Sequence, residues 1–208
     1  MTTQQTSDEY RIRWSTALLF FVYTLAARLI PYVLYRLGFN VDPEVSYYPW
    51  NFTPAFAVCL FTGAFCSSRL VACLLPMATF LISDLGIWAL TGRLDWAFYP
   101  AQSAVYLSIL ACTLIGFSLR NRCTGGRTIL AGLSGCTLFF LITNLAVWAT
   151  FDTYPRTLDG LLQCYAAAIP FYRNSLIATG IFGAALFSPV CLRKDQTNLK
   201  SAAIGQAG

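Results

Sequence analysis

Six long apolar runs dominate this sequence and limit the folds open to it. A helix needs about 20 apolar residues to cross the hydrocarbon of a bilayer, with a range of roughly 17 to 25. The runs lack the alternating polar and apolar pattern of a barrel strand, so they predict α-helices. The chain is therefore predicted to be an all-α membrane protein, a six-helix transmembrane bundle. The approximate spans are Trp14–Tyr35, Phe52–Cys66, Leu70–Leu90, Ala101–Leu119, Thr128–Thr150 and Tyr172–Leu192.

The spans and the polar ends predict a single domain. Residues 1–13 are expected to form a cytoplasmic tail, residues 14–192 the transmembrane domain, and residues 193–208 a flexible cytoplasmic tail. The second run is short for a span, which predicts a position in locally thinned bilayer or one shielded by protein.

Composition excludes a soluble domain and most histidine chemistry. Hydrophobic residues make up 57% of the chain and charged residues 11%, against about 25% charged in a typical soluble domain. The absence of histidine excludes Ser-His-Asp and Cys-His nucleophile systems, HExxH zinc sites and histidine-ligated haem. The eight cysteines form no CxxC pair, so they are predicted to be small buried hydrophobes. We expect no enzymatic activity, cofactor or metal.

Basic residues orient the bundle. With six spans, both termini share one face with the loops after the second and fourth helices. That face holds Arg11, Arg13, Arg69, Arg120, Arg122, Arg127, Arg193, Lys194 and Lys200, whereas the other holds Arg36, Arg93, Arg156 and Arg173. Because cytoplasmic loops carry the excess of Lys and Arg, both termini are predicted to be cytoplasmic. The net charge of +5 is thus mostly a topology signal, and no nucleic-acid partner is expected.

Two formal charges, Arg28 and Asp84, lie in the interiors of the predicted spans, away from the span ends. A charge at the bilayer centre costs about 2.5–3.5 kcal/mol on insertion scales, so such residues usually face the bundle interior and pair. Arg28, Asp84 and Asn144 are each predicted to lie roughly 9–11 Å below the outer surface, at 1.5 Å per residue. They form the polar floor of an outward-facing cavity, or else Arg28 snorkels outward and Asp84 bonds locally.

Aromatic residues are concentrated on the predicted outer face. Tyr47, Tyr48, Trp50 and Asn51 precede the second helix, and the cytoplasmic loops hold almost no aromatic residues. An interfacial belt should appear on both faces. The asymmetry favours a binding mouth in which rings stack on a flat ligand, with an ordinary belt as the alternative.

The segment from Thr157 to Phe171 carries leucine and aromatic residues at helical spacing. It is predicted to form a short helix on or in the outer leaflet, broken at Pro170 before the sixth span. Arg173 and Asn174 follow at once and are expected at the mouth of the cavity. The alternative is an amphipathic connector without a ligand role.

Several separated motifs carry a resemblance to a known family. They are Trp50–Ala55 with Leu60–Phe65, Leu81–Asp84, Phe140–Trp148, Tyr154–Thr157 and Cys164–Asn174. In this order they resemble a bacterial membrane-protein family of unknown function whose members are labelled as transport proteins. The resemblance covers roughly residues 15–190 and implies a multi-pass protein of the bacterial inner membrane.

The six-helix plan is also distantly similar to the S components of energy-coupling-factor vitamin transporters. Those small membrane proteins capture a vitamin or metal from outside, in most cases with a shared ATPase module. The Ala-x-x-x-Ala pattern with which many S components dock that module is absent here, because Ala17, Ala26 and Ala27 have other spacings. An energising ATPase module, another membrane partner and a solitary transporter therefore all remain open.

Together these observations predict a substrate-capturing transport subunit of the cell membrane, with an outward-facing site for a small molecule such as a vitamin. The alternative is a non-transport structural protein, a morphogenesis or scaffold partner. The expected partners are the lipid bilayer, the small-molecule substrate and one of the membrane partners above. The predicted substrate-binding residues are Arg28, Asp84, Asn144, Tyr47, Tyr48, Trp50, Asn51, Arg173 and Asn174.

Overall fold

The computed structural model describes residues 10–39, 51–188 and 191–194. Within these ranges the regular secondary structure is helical apart from two strands of three residues each, so the predicted all-α class is confirmed. The elements are β1 (Tyr10–Ile12), α1 (Trp14–Arg36), α2 (Ala55–Phe65), α3 (Arg69–Thr91), α4 (Leu94–Ala97), α5 (Gln102–Phe117), α6 (Gly125–Thr150), α7 (Leu158–Leu186) and β2 (Leu192–Lys194).

Four segments of the described chain are long and apolar enough to cross a membrane. They are Ala17–Arg36, Arg69–Thr91, Leu94–Phe117 and Gly125–Thr150. These segments coincide with the first, third, fourth and fifth predicted spans. The third of them joins the short helix α4 to α5. The second and sixth predicted spans differ from what the sequence led us to expect.

The two strands pair at one end of the bundle. β1 and β2 are antiparallel, with Ile12 opposite Leu192 and Tyr10 opposite Lys194. The ladder was not predicted from the sequence, and it places the first and last described residues side by side. We call this end of the bundle the strand end, and the opposite end the distal end.

The second predicted span is a short buried helix. α2 contains 11 residues, and all of them are buried. At 1.5 Å per residue it is about 16 Å long, roughly half the thickness of the hydrocarbon core. Its partners are protein rather than lipid, as Phe61 and Leu186 in one core cluster and Phe56 and Cys136 in another illustrate. Of the two predicted explanations for its length, shielding by protein is the one observed.

Two glycines let α2 lie directly against α5. A Cβ atom on Gly63 would lie 2.4 Å from the Thr113 carbonyl oxygen, and one on Gly116 would lie 2.6 Å from the Leu60 carbonyl oxygen. Neither distance leaves room for a side chain, so only glycine permits this approach. The contact fixes α2 in the centre of the bundle, where the other helices pack around it.

The sixth predicted span is longer than expected, and its predicted break is wrong. α7 is one helix of 29 residues with Pro170 inside it. Proline lacks an N–H group and usually breaks a soluble helix. In membrane helices it is tolerated where neighbouring groups compensate for the lost hydrogen bond. Pro170 is on the exposed side of α7, away from the tightly packed interface.

Hydrogen bonds to α6 hold α7 alongside that helix both before and after Pro170. The Tyr165 hydroxyl donates to the Leu141 carbonyl at 2.8 Å, and the Tyr172 hydroxyl lies 2.8 Å from the Thr137 hydroxyl. The first half of α7 therefore runs antiparallel to α6 and does not lie across the end of the bundle.

Candidate functional site

The two charges predicted inside the spans are in contact. Nη2 of Arg28 on α1 donates to Oδ1 of Asp84 on α3 at 2.5 Å, and Nε of Arg28 donates to the Ser83 hydroxyl at 2.5 Å. The guanidinium carbon lies 4.0 Å from the centre of the Phe80 ring. Phe80, Ser83 and Asp84 have the i, i+3, i+4 spacing that puts side chains on one helix face. Pairing of the two charges is confirmed.

Two residues of α5 complete the hydrogen bonding of the carboxylate. Nε2 of Gln102 donates to Oδ2 of Asp84 at 2.6 Å, and the Tyr106 hydroxyl donates to the same oxygen at 2.7 Å. Gln102 and Tyr106 are one helical turn apart, so both reach the same point. The Asp84 carboxylate thus connects α1, α3 and α5.

The acid is buried more deeply than the base. The Asp84 side chain is 3% exposed, whereas the Arg28 side chain is 23% exposed. Removing a charge from solvent is costly unless partners satisfy it, and Asp84 has three donors from three residues. Among the described residues, Nη1 of Arg28 has no hydrogen-bond partner. The guanidinium therefore keeps donors for a further acceptor.

The pair lies below the distal end of the bundle. Arg28 precedes the end of α1 at Arg36 by about 12 Å, and Asp84 precedes the end of α3 at Thr91 by about 10 Å, at 1.5 Å per residue. This depth agrees with the layer predicted from the sequence.

A cavity of about 580 Å³ borders the network. Its walls include Leu81, Tyr99, Gln102 and Tyr106. Gln102 and Tyr106 are also the residues that donate to Asp84, so one set of side chains both lines the cavity and holds the buried acid. Aromatic walls with a few convergent polar groups are typical of small-molecule sites.

Asn144 is in a different place from Arg28 and Asp84. Its Nδ2 donates to the Phe140 carbonyl of its own helix at 2.7 Å. With Asn51, Thr143 and Ser175 it lines a small cavity of about 100 Å³. The predicted layer of three polar residues is thus divided: the described contacts join Arg28 to Asp84, and Asn144 lies with Asn51.

The predicted break at Pro170 placed Arg173 and Asn174 at the start of a helix, but the structure does not place them there. Because α7 is continuous, they lie near its middle, with Arg173 exposed and Asn174 half-buried. Their position at a cavity mouth stays a prediction, without the helix break on which it was based. The remaining predicted mouth residues, Tyr47, Tyr48 and Trp50, lie outside the described residues.

Gln102, Tyr106 and Ser83 belong to the network but were not predicted. Each is a residue type common in membrane helices, and nothing in its type marks it as special. The available signal was spacing: Gln102 and Tyr106 are four residues apart near the start of the fourth predicted span. Two polar side chains stacked on one face of a span indicate a polar partner.

In the described part of the chain, no three potential metal-ligating side chains come together. The donors of the network are a guanidinium, an amide and hydroxyls around one carboxylate. These groups satisfy the buried carboxylate of Asp84 by hydrogen bonding.

Family comparison covers almost the whole chain. Residues 8–201 match the model of a family described as Family of unknown function (DUF6580). The protein belongs to this family. The DUF6580 match includes all of the helices and both strands described above. No curated protein and no solved structure matches the chain.

Proposed function

We propose that this DUF6580 protein is the substrate-capturing subunit of a transport system in the cell membrane. Its ligand is a small organic molecule with acceptor groups, such as a vitamin or related micronutrient. The observation that carries the proposal is the buried Arg28–Asp84 pair beside a cavity whose walls supply two of its partners. No catalytic step is proposed.

The cost of burying charge supports this function. Ionisable groups within membrane helices are rare, and they usually mark the path of a substrate or ion. Here the acid is almost fully buried, while the base is partly exposed and keeps unused donors. An ion pair with only a structural role needs no unused N–H donors on its guanidinium, whereas a ligand carboxylate or carbonyl can accept a hydrogen bond from such donors.

The cavity also supports the proposed transport function. A ligand that enters between Leu81 and Tyr99 meets Gln102 and Tyr106, which already hold Asp84. Exchange of one of these hydrogen bonds for a bond to the ligand would couple occupancy of the cavity to the packing of α3 against α5. A transport protein needs such a link between binding and helix arrangement.

We also propose six crossings, with both termini in the cytoplasm. α1, α3, the α4–α5 segment and α6 supply four crossings. The short helix α2 and the long helix α7 would supply the other two. The pairing of β1 with β2 and the basic residues near them support a cytoplasmic strand end. The cavity beside Asp84 then opens toward the outside.

The proposal is tested by asking which ligand the purified protein retains. The full chain is purified in mild detergent and examined by native mass spectrometry, followed by thermal-shift assays against a vitamin panel. A bound small molecule should survive purification. Tyr106→Phe should weaken its retention about tenfold, since one hydrogen bond in a buried site contributes about 1.4 kcal/mol.

Tyr165→Phe is the matched control for this substitution. It also removes one tyrosine hydroxyl with a 2.8 Å hydrogen bond, but the acceptor is the Leu141 carbonyl and not Asp84. Tyr165→Phe should leave ligand retention unchanged. Repeated absence of any retained molecule, together with no thermal shift across the panel, would contradict the transport proposal.

The alternative function is a structural membrane partner. The satisfied carboxylate of Asp84 favours it, because a network complete within one protein can serve only to fix α1, α3 and α5. This alternative predicts no retained ligand and no transport defect, together with stable co-purification of one defined membrane protein.

A further inference from the structure

Arg173 stands on the exposed face of α7 at the middle of the helix. It is about 22 Å from Leu158 and about 20 Å from Leu186, at 1.5 Å per residue. The hydrogen bond of its neighbour Tyr172 to Thr137 puts it level with the middle of α6, which is one of the membrane-crossing segments. Under the six-crossing topology proposed above, on which this inference rests, the guanidinium is attached near mid-depth in the bilayer.

This position is costly for a charge without a partner. Arg173 is exposed, and no hydrogen bond or ion pair joins it to any described residue. Arginine is among the residues that are most costly to place at the centre of a bilayer. Arg28, the other arginine within a span, has an acid partner at 2.5 Å. Among the described residues, no acid lies beside Arg173 on the exposed face of α7.

On the exposed face of α7, Ile169 and Ile177 lie one turn from Arg173, and small residues lie two to three turns away. Ala166, Gly180 and Ala184 are seven or eleven residues away, the spacings that return to the same side of a helix, and all three are exposed. A Cβ on Gly180 would meet no atom within 4 Å. Toward the strand end of this face, a groove of about 570 Å³ runs between α6 and α7, with Gly132 and Gly183 among its lining residues.

We propose that this face of α7, centred on Arg173, docks a transmembrane helix of a partner protein that carries a carboxylate at mid-depth. The carboxylate pairs with Arg173, and the small residues allow the partner's backbone to approach closely. The surface is separate from the Arg28–Asp84 site, so it does not depend on which ligand that site binds.

Charge repulsion disfavours a second copy of this chain as the partner that docks on this face of α7. Two copies inserted in the same orientation bring Arg173 toward Arg173 at equal depth, which is repulsive. Among the described acids, Asp84 is buried and engaged, and Asp159 is about 21 Å from Arg173 along α7. Asp95 and Asp152 lie near the distal ends of their segments. None of these acids is exposed at the depth of Arg173.

The test uses a designed transmembrane peptide as the partner. The full chain is reconstituted in phosphatidylcholine vesicles with an oligoleucine helix that carries one central Glu, and association is followed by energy transfer. A matched peptide carries Gln instead. The wild-type protein should bind the Glu peptide about tenfold more tightly than the Gln peptide, in the range measured for polar contacts between membrane helices.

Substitutions on α7 locate the contact. Arg173→Gln should abolish the preference for the Glu peptide, while Arg173→Lys should retain part of it. Gly180→Leu should weaken binding of both peptides, because it blocks close approach. Arg156→Gln is the matched control: it removes an exposed arginine at the distal end and should change nothing.

Three results would overturn the proposal. The first is equal binding of the Glu and Gln peptides by the wild-type protein. The second is self-association of the protein that Arg173→Gln strengthens and that excludes the peptide, which would make a second copy the occupant. The third is an Arg173-dependent interaction with anionic lipid that removes the peptide preference, which would make a lipid headgroup the occupant.

Discussion

Two arginines toward opposite ends of the bundle have their charges satisfied in different ways. Arg28, toward the distal end, pairs with the Asp84 carboxylate beside a cavity. Arg120, at the strand end, is 6% exposed and donates to two backbone carbonyls, those of Gly63 at 2.7 Å and Cys66 at 2.6 Å. Both also lie over a phenylalanine ring, Phe80 and Phe117 respectively.

The difference lies in what each cation stabilises. The acceptors of Arg120 are carbonyls at the C-terminal end of α2, where the helix dipole is negative and carbonyls lack intrahelical partners. Burial lowers the pKa of this guanidinium, with nearby Arg69 contributing. No acid is involved. Arg120 completes the end of a helix, whereas Arg28 joins a network that has room for a ligand.

The comparison shows that a buried charge does not by itself identify a binding site. Nη1 of Arg28 has no partner among the described residues, and its acid borders a cavity through Gln102 and Tyr106. Arg120 donates hydrogen bonds from both Nε and Nη2 to carbonyls at the end of one short helix, α2. An unused donor on the cation, together with a cavity lined by the partners of its acid, is what favours a functional role.

The largest expected effect comes from removing one member of the ion pair. Arg28→Ala should lower the free energy of unfolding by roughly 3–5 kcal/mol, because it leaves Asp84 buried without its charged partner. Asp84→Ala should have a similar effect. The double substitution should cost at least about 1.5 kcal/mol less than the sum of the two, which a double-mutant cycle in detergent unfolding titrations measures.

The control for this cycle is the pair of Arg93 and Asp95. Their side chains are 50% and 63% exposed and lie 2.7 Å apart. An exposed pair should show a coupling close to zero, because solvent screens the two charges. Additive effects at Arg28 and Asp84 would show that the buried contact contributes no more than the exposed one.

Arg120→Ala should have the next largest effect. Two carbonyls lose a charged donor, which predicts a loss of roughly 2–4 kcal/mol in the free energy of unfolding. Arg120→Lys should recover part of the loss, since an ammonium can reach only some of the same acceptors. Combined with Asp84→Ala, the two effects should add within about 0.5 kcal/mol, because the sites share no partner. Strong coupling between them would contradict the separation described above.

Gly63→Ala tests the contact between α2 and α5 at the end of α2 that Arg120 binds. It should have the smallest of the three effects on the free energy of unfolding. Its Cβ would lie 2.4 Å from the Thr113 carbonyl oxygen, so α2 must move away from α5. Overpacking of this kind costs roughly 1–3 kcal/mol. Gly180→Ala is the matched control, with no atom within 4 Å of the added carbon. If both substitutions have the same effect on unfolding, close approach of α2 to α5 is not what Gly63 provides.

Much of the helical framework could be predicted from hydrophobic runs. α1, α3 and α6 lie within a few residues of the predicted bounds, because about 20 consecutive apolar residues have few alternatives to a membrane helix. Pairing of Arg28 with Asp84 was also predictable. They are the two formal charges in the interiors of the first five predicted spans, and opposite charges in hydrocarbon attract strongly.

The errors share a physical cause. Pro170 predicts a break by local rules, but Tyr165 and Tyr172 hold α7 against α6 on either side of it. Arg120 lies outside the apolar runs and was counted only as a topology charge, yet it is buried against α2. In each case contacts with residues distant in sequence decide the outcome, and no local pattern reports them.

The sequence by itself determined that the chain is a bundle of apolar helices and that one acid and one base within it need each other. Both conclusions follow from the cost of placing polar groups in hydrocarbon, which depends on residue type and run length. The tertiary structure alone decided that α2 is a buried half-length helix and that Gln102 and Tyr106 hold Asp84. It also decided that Asn144 lies in a separate cavity and that Arg173 is on an outer face. These features depend on how helices rotate and approach one another, and that is set by interlocking side chains and glycine contacts throughout the bundle.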